Sequence, residues 1–127
     1  MKVTQNDLIR FAFLSSNSEY NEERKLEYRN LGRKLLKKIV ELMGLQKGEY
    51  DISWNPGGIA CSGDHMLHTD KVYLALHDNL GSGWFYWRSC VGRRDFSGGT
   101  NQIYNWNTLT IYGLELLADT LKKVQNS

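Results

Sequence analysis

The sequence has little of what marks several protein classes. Its 127 residues include one proline and two cysteines, and they contain no apolar run long enough to cross a membrane. The scarcity of proline and the absence of low-complexity tracts argue against a linker or a disordered module. The N-terminal residues lack the basic start and apolar core of a signal peptide, so we expect a cytoplasmic protein with no membrane contact.

The sequence offers no convincing metal or catalytic motif. Cys61 and Cys90 are too distant in sequence for a metal knuckle or a redox pair, so we expect buried reduced thiols. His65 and His68 would point to opposite faces of a strand, which argues against zinc. We see no serine elbow, and no cysteine with a matching histidine and acid. The sequence therefore predicts no catalytic residue, no metal and no cofactor.

Length and composition indicate one globular domain over residues 1–127. Hydrophobic residues make up 41% of the chain and charged residues 24%, which is ordinary for a protein with a packed core. The net charge of +2 is too small to predict bulk attraction to nucleic acid. The charge is uneven, however, because residues 24–38 carry +6 and the remainder carries −4. This asymmetry predicts one positive face.

Helical patterns occupy both ends of the chain. A short helix is expected from Thr4 to Leu14, and a longer one from Asn21 to Met43, ending at a left-handed Gly44. The region 1–45 is thus predicted to be helical. A third helix is expected within residues 107–125, capped by Asn107 or Thr108. Its predicted apolar stripe comprises Leu109, Tyr112, Leu116, Leu117, Leu121 and Val124.

The central region, residues 49–105, has the glycines, aromatic residues and alternation of antiparallel strands joined by tight turns. Strands are expected at 50–54, 59–62, 68–77 and 84–91. The predicted turns and loops are at 55–58, 63–64 and 78–83. The predicted fold is therefore α+β, an antiparallel meander of four to five strands packed with N-terminal and C-terminal helices.

The segment Arg88–Asn101 is the strongest candidate for a binding site. Its guanidinium groups are forked donors that match phosphate oxygens, and its glycines allow a ligand close to the backbone. The neutral side chains at its end are suited to a ribose or a base. The predicted ligand residues here are Arg88, Arg93, Arg94, Phe96, Gly98, Gly99, Thr100 and Asn101. The alternative is a basic surface turn whose arginines are solvated or paired with Asp95.

Two neighbouring elements are predicted to complete this site. Strand alternation places Trp84, Tyr86 and Arg88 on one face, where the aromatic rings are candidates for stacking on a base. Phe85 and Trp87 lie on the other face. One of the two sets is expected in the core and the other at a ligand or a subunit interface, although core packing alone also accounts for such aromatics. From the basic helix, Arg29 or Arg33 would close the phosphate site, unless that helix is simply a solvated face.

Three stretches together, Asn55–Gly63, Leu67–Tyr73 and Gly92–Asn101, resemble the phage-encoded Thoeris anti-defence proteins. The resemblance covers residues 52–101 and leaves the terminal helices unmatched. It implies sequestration of a cyclic nucleotide or cyclic ADP-ribose signal without cleavage, which antagonises anti-phage defence in the bacterial host cytoplasm. It also implies a homo-oligomer, a dimer or higher, with pockets at the interface.

The predicted function is therefore non-catalytic binding of a small cyclic or ADP-ribose-like nucleotide. The alternative is an anti-CRISPR-like protein, or another phage protein, that binds nucleic acid or a host protein through the basic helix. The small net charge makes nucleic acid the less favoured partner. A third possibility is a phosphodiesterase-like enzyme.

Overall fold

The protein is an α+β fold with three helices and a five-stranded antiparallel sheet in the meander order β1-β2-β3-β4-β5. The computed structural model describes residues 2–16, 21–55, 64–77, 84–93, 95, 98–105 and 109–127. The helices are α1 (Gln5–Ser16), α2 (Glu22–Met43) and α3 (Ile111–Gln125). The strands are β1 (Asp51–Asn55), β2 (Asp64–His68), β3 (Val72–His77), β4 (Trp84–Ser89) and β5 (Gln102–Asn105). The predicted fold class is confirmed.

The first two helices begin and end where local chemistry favours it. The Thr4 hydroxyl accepts the Asp7 backbone N–H at 3.2 Å, and the Asp7 carboxylate accepts the Thr4 N–H at 3.0 Å, so α1 has a reciprocal cap. Asn21 caps α2 through the Arg24 N–H, and Gly44 ends that helix with a left-handed φ of 73°. Helix α1 extends two residues beyond the predicted end at Leu14.

The sheet buries one face against the helices. The register aligns Ile52 with Leu67, Leu67 with Leu74 and Leu76 with Phe85, so these side chains share a face. They join the apolar stripe of α2 in the core, which places α2 and α3 on that side of the sheet. Phe85 and Trp87 are thus the aromatic set that faces the core, with Phe85 fully buried and Trp87 partly so.

The prediction of one strand over residues 68–77 is wrong, because a turn at Thr69–Lys71 separates β2 from β3. The Thr69 N–H donates to the Val72 carbonyl at 2.9 Å. The Thr69 hydroxyl accepts the N–H groups of Lys71 and Val72 at 3.1 and 3.0 Å. A buried threonine thus supplies the acceptor that the turn needs, although threonine otherwise favours strands.

The C-terminal helix also differs from its prediction. It begins after Thr110, whose hydroxyl accepts the Gly113 N–H at 3.0 Å, so Thr110 is its cap. Its buried stripe is Leu114, Leu117, Ala118 and Leu121, whereas Tyr112 and Leu116 are exposed. The buried stripe differs from the predicted one because an apolar side chain beside the edge of a sheet can remain exposed to solvent.

Several predictions fall on residues outside the described ones. These are Cys61, the strand 59–62, the turn at 55–58 beyond Asn55, the loop at 78–83, and the caps Asn107 and Thr108. Asp64 lies in β2 and not in a turn. None of the described helices is long and apolar enough to span a membrane.

Candidate functional site

The Gly98–Gly99 pair folds back on β4 and is held there by Arg88. Both glycines have left-handed φ angles, 83° and 66°. The Arg88 Nε donates to the Gly98 carbonyl at 3.1 Å, and its Nη2 donates to the Gly99 carbonyl at 3.1 Å. The guanidinium is therefore bonded to carbonyls of its own loop, which gives Arg88 a structural partner in this conformation.

The Arg93 side chain lies against carboxylates of the sheet. Its Nε is 3.3 Å from Asp70 Oδ1 and 3.9 Å from Asp51 Oδ2. Asp95, the anticipated acidic partner of these arginines, forms a backbone bridge with Gly92, to whose carbonyl its N–H donates at 3.0 Å. Two of the three guanidiniums predicted to bind phosphate thus have oxygen partners within the chain.

The remaining predicted residues of this segment are dispersed or undescribed. Tyr86 and Arg88 share the sheet face opposite the helices, as predicted, and the register places Trp84 on that face too. Thr100 and Asn101 are exposed just before β5. Arg94, Phe96 and the Trp84 side chain lie outside the described residues, so their part in binding stays a prediction.

Arg29 and Arg33, predicted as auxiliary residues, line a separate cleft between α2 and the edge strand β1. This α2–β1 cleft has a volume of about 310 Å³. It is lined by Arg29, Arg33, Ile52, Ser53, Trp54 and His65. Its lining contains no residue of the described part of Arg88–Asn101. The structure therefore puts the two predicted groups of arginines at different places.

Gly32 brings α2 close to the sheet at this cleft. A Cβ at position 32 would lie 2.4 Å from the His65 imidazole, so the helix rests directly on that ring. The His65 Nε2 is 3.0 Å from the Arg29 carbonyl, and the ring packs against Tyr28 and Trp54 with centroids 5.0 and 4.4 Å away. These contacts fix the floor of the α2–β1 cleft.

Trp54 forms the aromatic wall. The Arg29 guanidinium carbon lies 6.0 Å from the Trp54 ring centroid, at the outer limit of a cation–π contact. A second cleft of about 220 Å³ adjoins the first across this pair. It is lined by Glu22, Lys25, Leu26, Arg29 and Trp54. Trp54 and Arg29 thus border both clefts.

The cations of α2 divide into two sets. Lys34 pairs with Asp7 at 3.0 Å, Lys38 pairs with Glu41 at 3.4 Å, and Arg24 lies 5.6 Å from the Phe13 ring centroid. The other set, which we call the basic row, follows the four-residue spacing of one helix face. The basic row consists of Lys25, Arg29, Arg33 and Lys37.

Three members of the basic row carry charge that no described carboxylate balances. Within the described part of the chain, Arg29, Arg33 and Lys37 form no ion pair with a carboxylate. Like charges at this spacing destabilise a helix by roughly 0.2–0.5 kcal/mol per pair. An anion from outside the chain would relieve this repulsion.

A buried thiol–imidazole pair lies on the opposite face of the sheet. The Cys90 Sγ is 3.5 Å from the His68 Nε2 and 3.7 Å from the Thr69 carbonyl oxygen. Burial raises the pKa of the Cys90 thiol and lowers the pKa of His68, so both groups favour their neutral forms. A neutral pair is a poor nucleophile. Among the residues described, no three candidate ligands gather around a metal site.

His68 makes the stability of the fold sensitive to pH. Burial is the largest cause of its lowered pKa and Arg93 reinforces it, whereas the Gly92 backbone, Asp51 and Asp70 oppose it. The folded protein therefore binds this proton at lower pH than the unfolded chain. The resulting stability is complete above the ordinary pKa of 6.5 and is lost as the pH falls toward the folded value.

We expect urea unfolding of the wild type to show a lower free energy at pH 5.5 than at pH 7.5. The decrease should be smaller in His68→Gln, which cannot take up the proton. This interval lies above the range in which Asp7 and Glu27 titrate, because their pKa values are lowered. Equal decreases in the two proteins would contradict the assignment to His68.

Sequence reasoning missed Trp54 and His65 as ligand-binding residues, and it considered Lys25 and Lys37 only as part of the basic helix. The usable signal was the exact four-residue repeat of cations, because other basic residues of that helix fall outside it. The position of the edge strand β1 beside the basic row is a feature of the tertiary structure, which no local sequence pattern indicates.

Comparison with known proteins gives no family for this chain: no protein-family model matches it, and neither does any curated protein or solved structure. The resemblance to the Thoeris anti-defence proteins therefore stays a prediction.

Proposed function

We propose that the protein binds a nucleotide-type ligand in the α2–β1 cleft without transforming it. The observation that carries the proposal is the Arg29–Trp54 pair, with Arg33 beside it and no carboxylate partner for either arginine among the described residues. A base would stack on the indole, and the guanidiniums would bind phosphate oxygens. A half-enclosed cleft strengthens such charge-assisted bonds relative to bulk water.

The ligand class follows from the chemistry of the walls. The aromatic surface favours a flat ring, and the arginines favour phosphate, so a nucleotide fits better than a sugar or an acidic peptide. The resemblance of the sequence supports a finer proposal, that the ligand is a cyclic nucleotide or cyclic ADP-ribose signal of anti-phage defence. Sequestration in the host cytoplasm would follow from tight binding alone.

The test is calorimetric titration with nucleoside monophosphates, cyclic dinucleotides, cyclic trinucleotides and cyclic ADP-ribose isomers. We expect at least one to bind, and Arg33→Gln or Trp54→Leu to weaken it about tenfold or more, since one stacked base contributes roughly 1–3 kcal/mol. Lys34→Gln is the matched control, because it removes the same charge one residue away, on the side facing Asp7. It should leave binding unchanged.

Two results would reject the proposal. One is the absence of binding by every nucleotide in the panel. The other is equal loss in Lys34→Gln and Arg33→Gln, which would mean that only total charge matters. A ligand recovered unaltered by mass spectrometry after heat denaturation would argue against the phosphodiesterase-like alternative.

We also propose a homo-oligomer, supported by exposed apolar side chains where β5 meets α3. These are Ile103 and Tyr104 of β5 and Tyr112 and Leu116 of α3. Tyr104 and Leu116 line an apolar cleft of about 270 Å³. Strand β5 is an edge strand, and residues 98–105 contain no charge or proline to discourage pairing. Light scattering should report a dimer or higher, and Ile103→Lys should shift the population toward monomer. A wild-type monomer at high concentration would contradict this.

A further inference from the structure

The basic row is longer than the α2–β1 cleft. Arg29 and Arg33 line the cleft, Lys25 lines the adjoining one, and Lys37 is exposed one turn beyond Arg33. At a rise of 1.5 Å per residue, consecutive cations of the row are about 6 Å apart and the whole row spans about 18 Å. A mononucleotide reaches one or two of these positions, not all four.

We propose that the site takes phosphodiester-linked nucleotides, with one base on Trp54 and successive phosphates along the basic row. This inference rests on the proposed function, because it uses the same aromatic wall. A single-stranded nucleic acid presents one negative charge per nucleotide along a flexible backbone, so its phosphates can follow a row of cations that winds gradually around the helix.

The contrast between the two sets of cations supports this ligand. The cations that pair within the chain, Lys34 and Lys38, lie off the row, and carboxylates occupy them at 3.0 and 3.4 Å. The described members of the row that lack an ion pair are Arg29, Arg33 and Lys37, and all three are exposed. The fold therefore leaves a linear set of cations open along one helix face, beside a ring suited to stacking.

An edge strand beside the row suits an extended ligand. Among the described strands, β1 pairs only with β2, so alternate backbone N–H and C=O groups of β1 point away from the sheet. Ser53 and Trp54 of this strand line the cleft. If an oligonucleotide lay between α2 and β1, its sugar hydroxyls and base edges could form hydrogen bonds with these backbone groups, in addition to the contacts of its phosphates with the cations.

The experiment compares adenosine monophosphate with single-stranded adenylates of two, four and eight nucleotides by fluorescence anisotropy competition. We expect affinity to rise up to about four nucleotides and then level off. The double variant Lys25→Ala/Lys37→Ala should lose roughly fivefold to tenfold for the tetramer while keeping monophosphate affinity, since each exposed ion pair contributes modestly. Lys34→Ala/Lys38→Ala is the matched control and should retain the full gain with length.

Salt dependence supplies a second measure. Single strands release about 0.7 counterion per neutralised phosphate, so the tetramer should give a log–log slope of about −2 to −3 in the wild type. The slope should be shallower by about 1.4 in Lys25→Ala/Lys37→Ala and unchanged in the control. A cyclic tri-adenylate is tested in parallel, because phosphodiester-linked nucleotides can be a small cyclic signal or an open single strand. If the cyclic tri-adenylate binds with an affinity equal to that of the linear tetramer, the cyclic signal is favoured over the open strand.

The outcomes are distinguishable. Equal affinity for the monophosphate and the tetramer overturns this inference and leaves the proposed function standing. Equal losses in the two double variants overturn it as well, because position along the helix would not matter. Failure of every adenylate, the monophosphate included, alongside the negative nucleotide panel overturns both proposals.

Discussion

Replacing Gly32 by alanine is expected to lower the free energy of unfolding by about 2 kcal/mol. Alanine normally stabilises a helix interior by roughly 0.5–1 kcal/mol relative to glycine. Here the added Cβ would lie 2.4 Å from the Cε1 of His65, whose side chain is 1% exposed. Because the ring is packed between aromatic neighbours, it cannot move away cheaply, and overpacking costs about 1–3 kcal/mol.

The matched control for Gly32→Ala is Gly113→Ala in helix α3. A Cβ there would approach only the Leu109 Cδ1 at 3.3 Å and the Thr110 Oγ1 at 3.4 Å. Both are ends of side chains near the start of the helix and can shift by a few tenths of an ångström. We therefore expect Gly113→Ala to be neutral or to stabilise by up to about 1 kcal/mol. Urea unfolding of both variants checks the opposite signs, and similar losses would contradict the close approach at His65.

Replacing Gly99 by alanine should cost about 3 kcal/mol and detach the loop from β4. The residue has a φ of 66°, where a Cβ costs about 1–2 kcal/mol. The added atom would also lie 2.4 Å from the Ser89 carbonyl oxygen and 2.9 Å from the Ser89 nitrogen. Backbone atoms of a strand cannot yield as a side chain does, so the Arg88 bonds to Gly98 and Gly99 should be lost too.

Substitutions at two other glycines separate the cost of the left-handed φ angle from the cost of the steric clash with Ser89. Gly48 has a φ of 95° with nothing within 4 Å of a Cβ, so Gly48→Ala measures the left-handed penalty alone. Gly98→Ala adds only a 3.3 Å contact with the Val91 side chain, which is exposed. Both should cost about 1 kcal/mol. Amide hydrogen exchange should show faster exchange in β5 for Gly99→Ala only, and protection equal to the wild type would contradict the account.

Local signals predicted most of the fold. The cap at Asn21, the left-handed Gly44 and the three- and four-residue spacing between them identify α2 because each depends on nearby residues. The alternation in residues 84–89 likewise predicts which aromatic rings share a face, but not which face enters the core. The turn at Thr69 was missed because threonine and valine favour strands, and the buried hydroxyl that makes the turn is a tertiary feature.

The candidate site was harder to predict, since it depends on contacts between residues that are distant in sequence. Arginine and glycine in Arg88–Asn101 indicate an anion site by composition. Arg88, however, donates to loop carbonyls, and Arg93 lies within ion-pair distance of the carboxylates of Asp70 and Asp51. Conversely, Trp54 is twenty-five residues from Arg29 and joins it only because β1 is the edge strand next to α2. Pairing across such separations is not encoded in any local pattern.

The most direct test of the α2–β1 cleft is the indole N–H signal of Trp54 in a two-dimensional proton–nitrogen NMR spectrum. It is assigned as the signal that disappears in Trp54→Phe, and nucleotide is then titrated into the wild type. We predict that a stacked base shifts this signal in proportion to binding, while the indole of Trp87, on the inner face of β4, stays in place. A bound nucleotide that leaves the Trp54 signal unmoved would contradict the proposal.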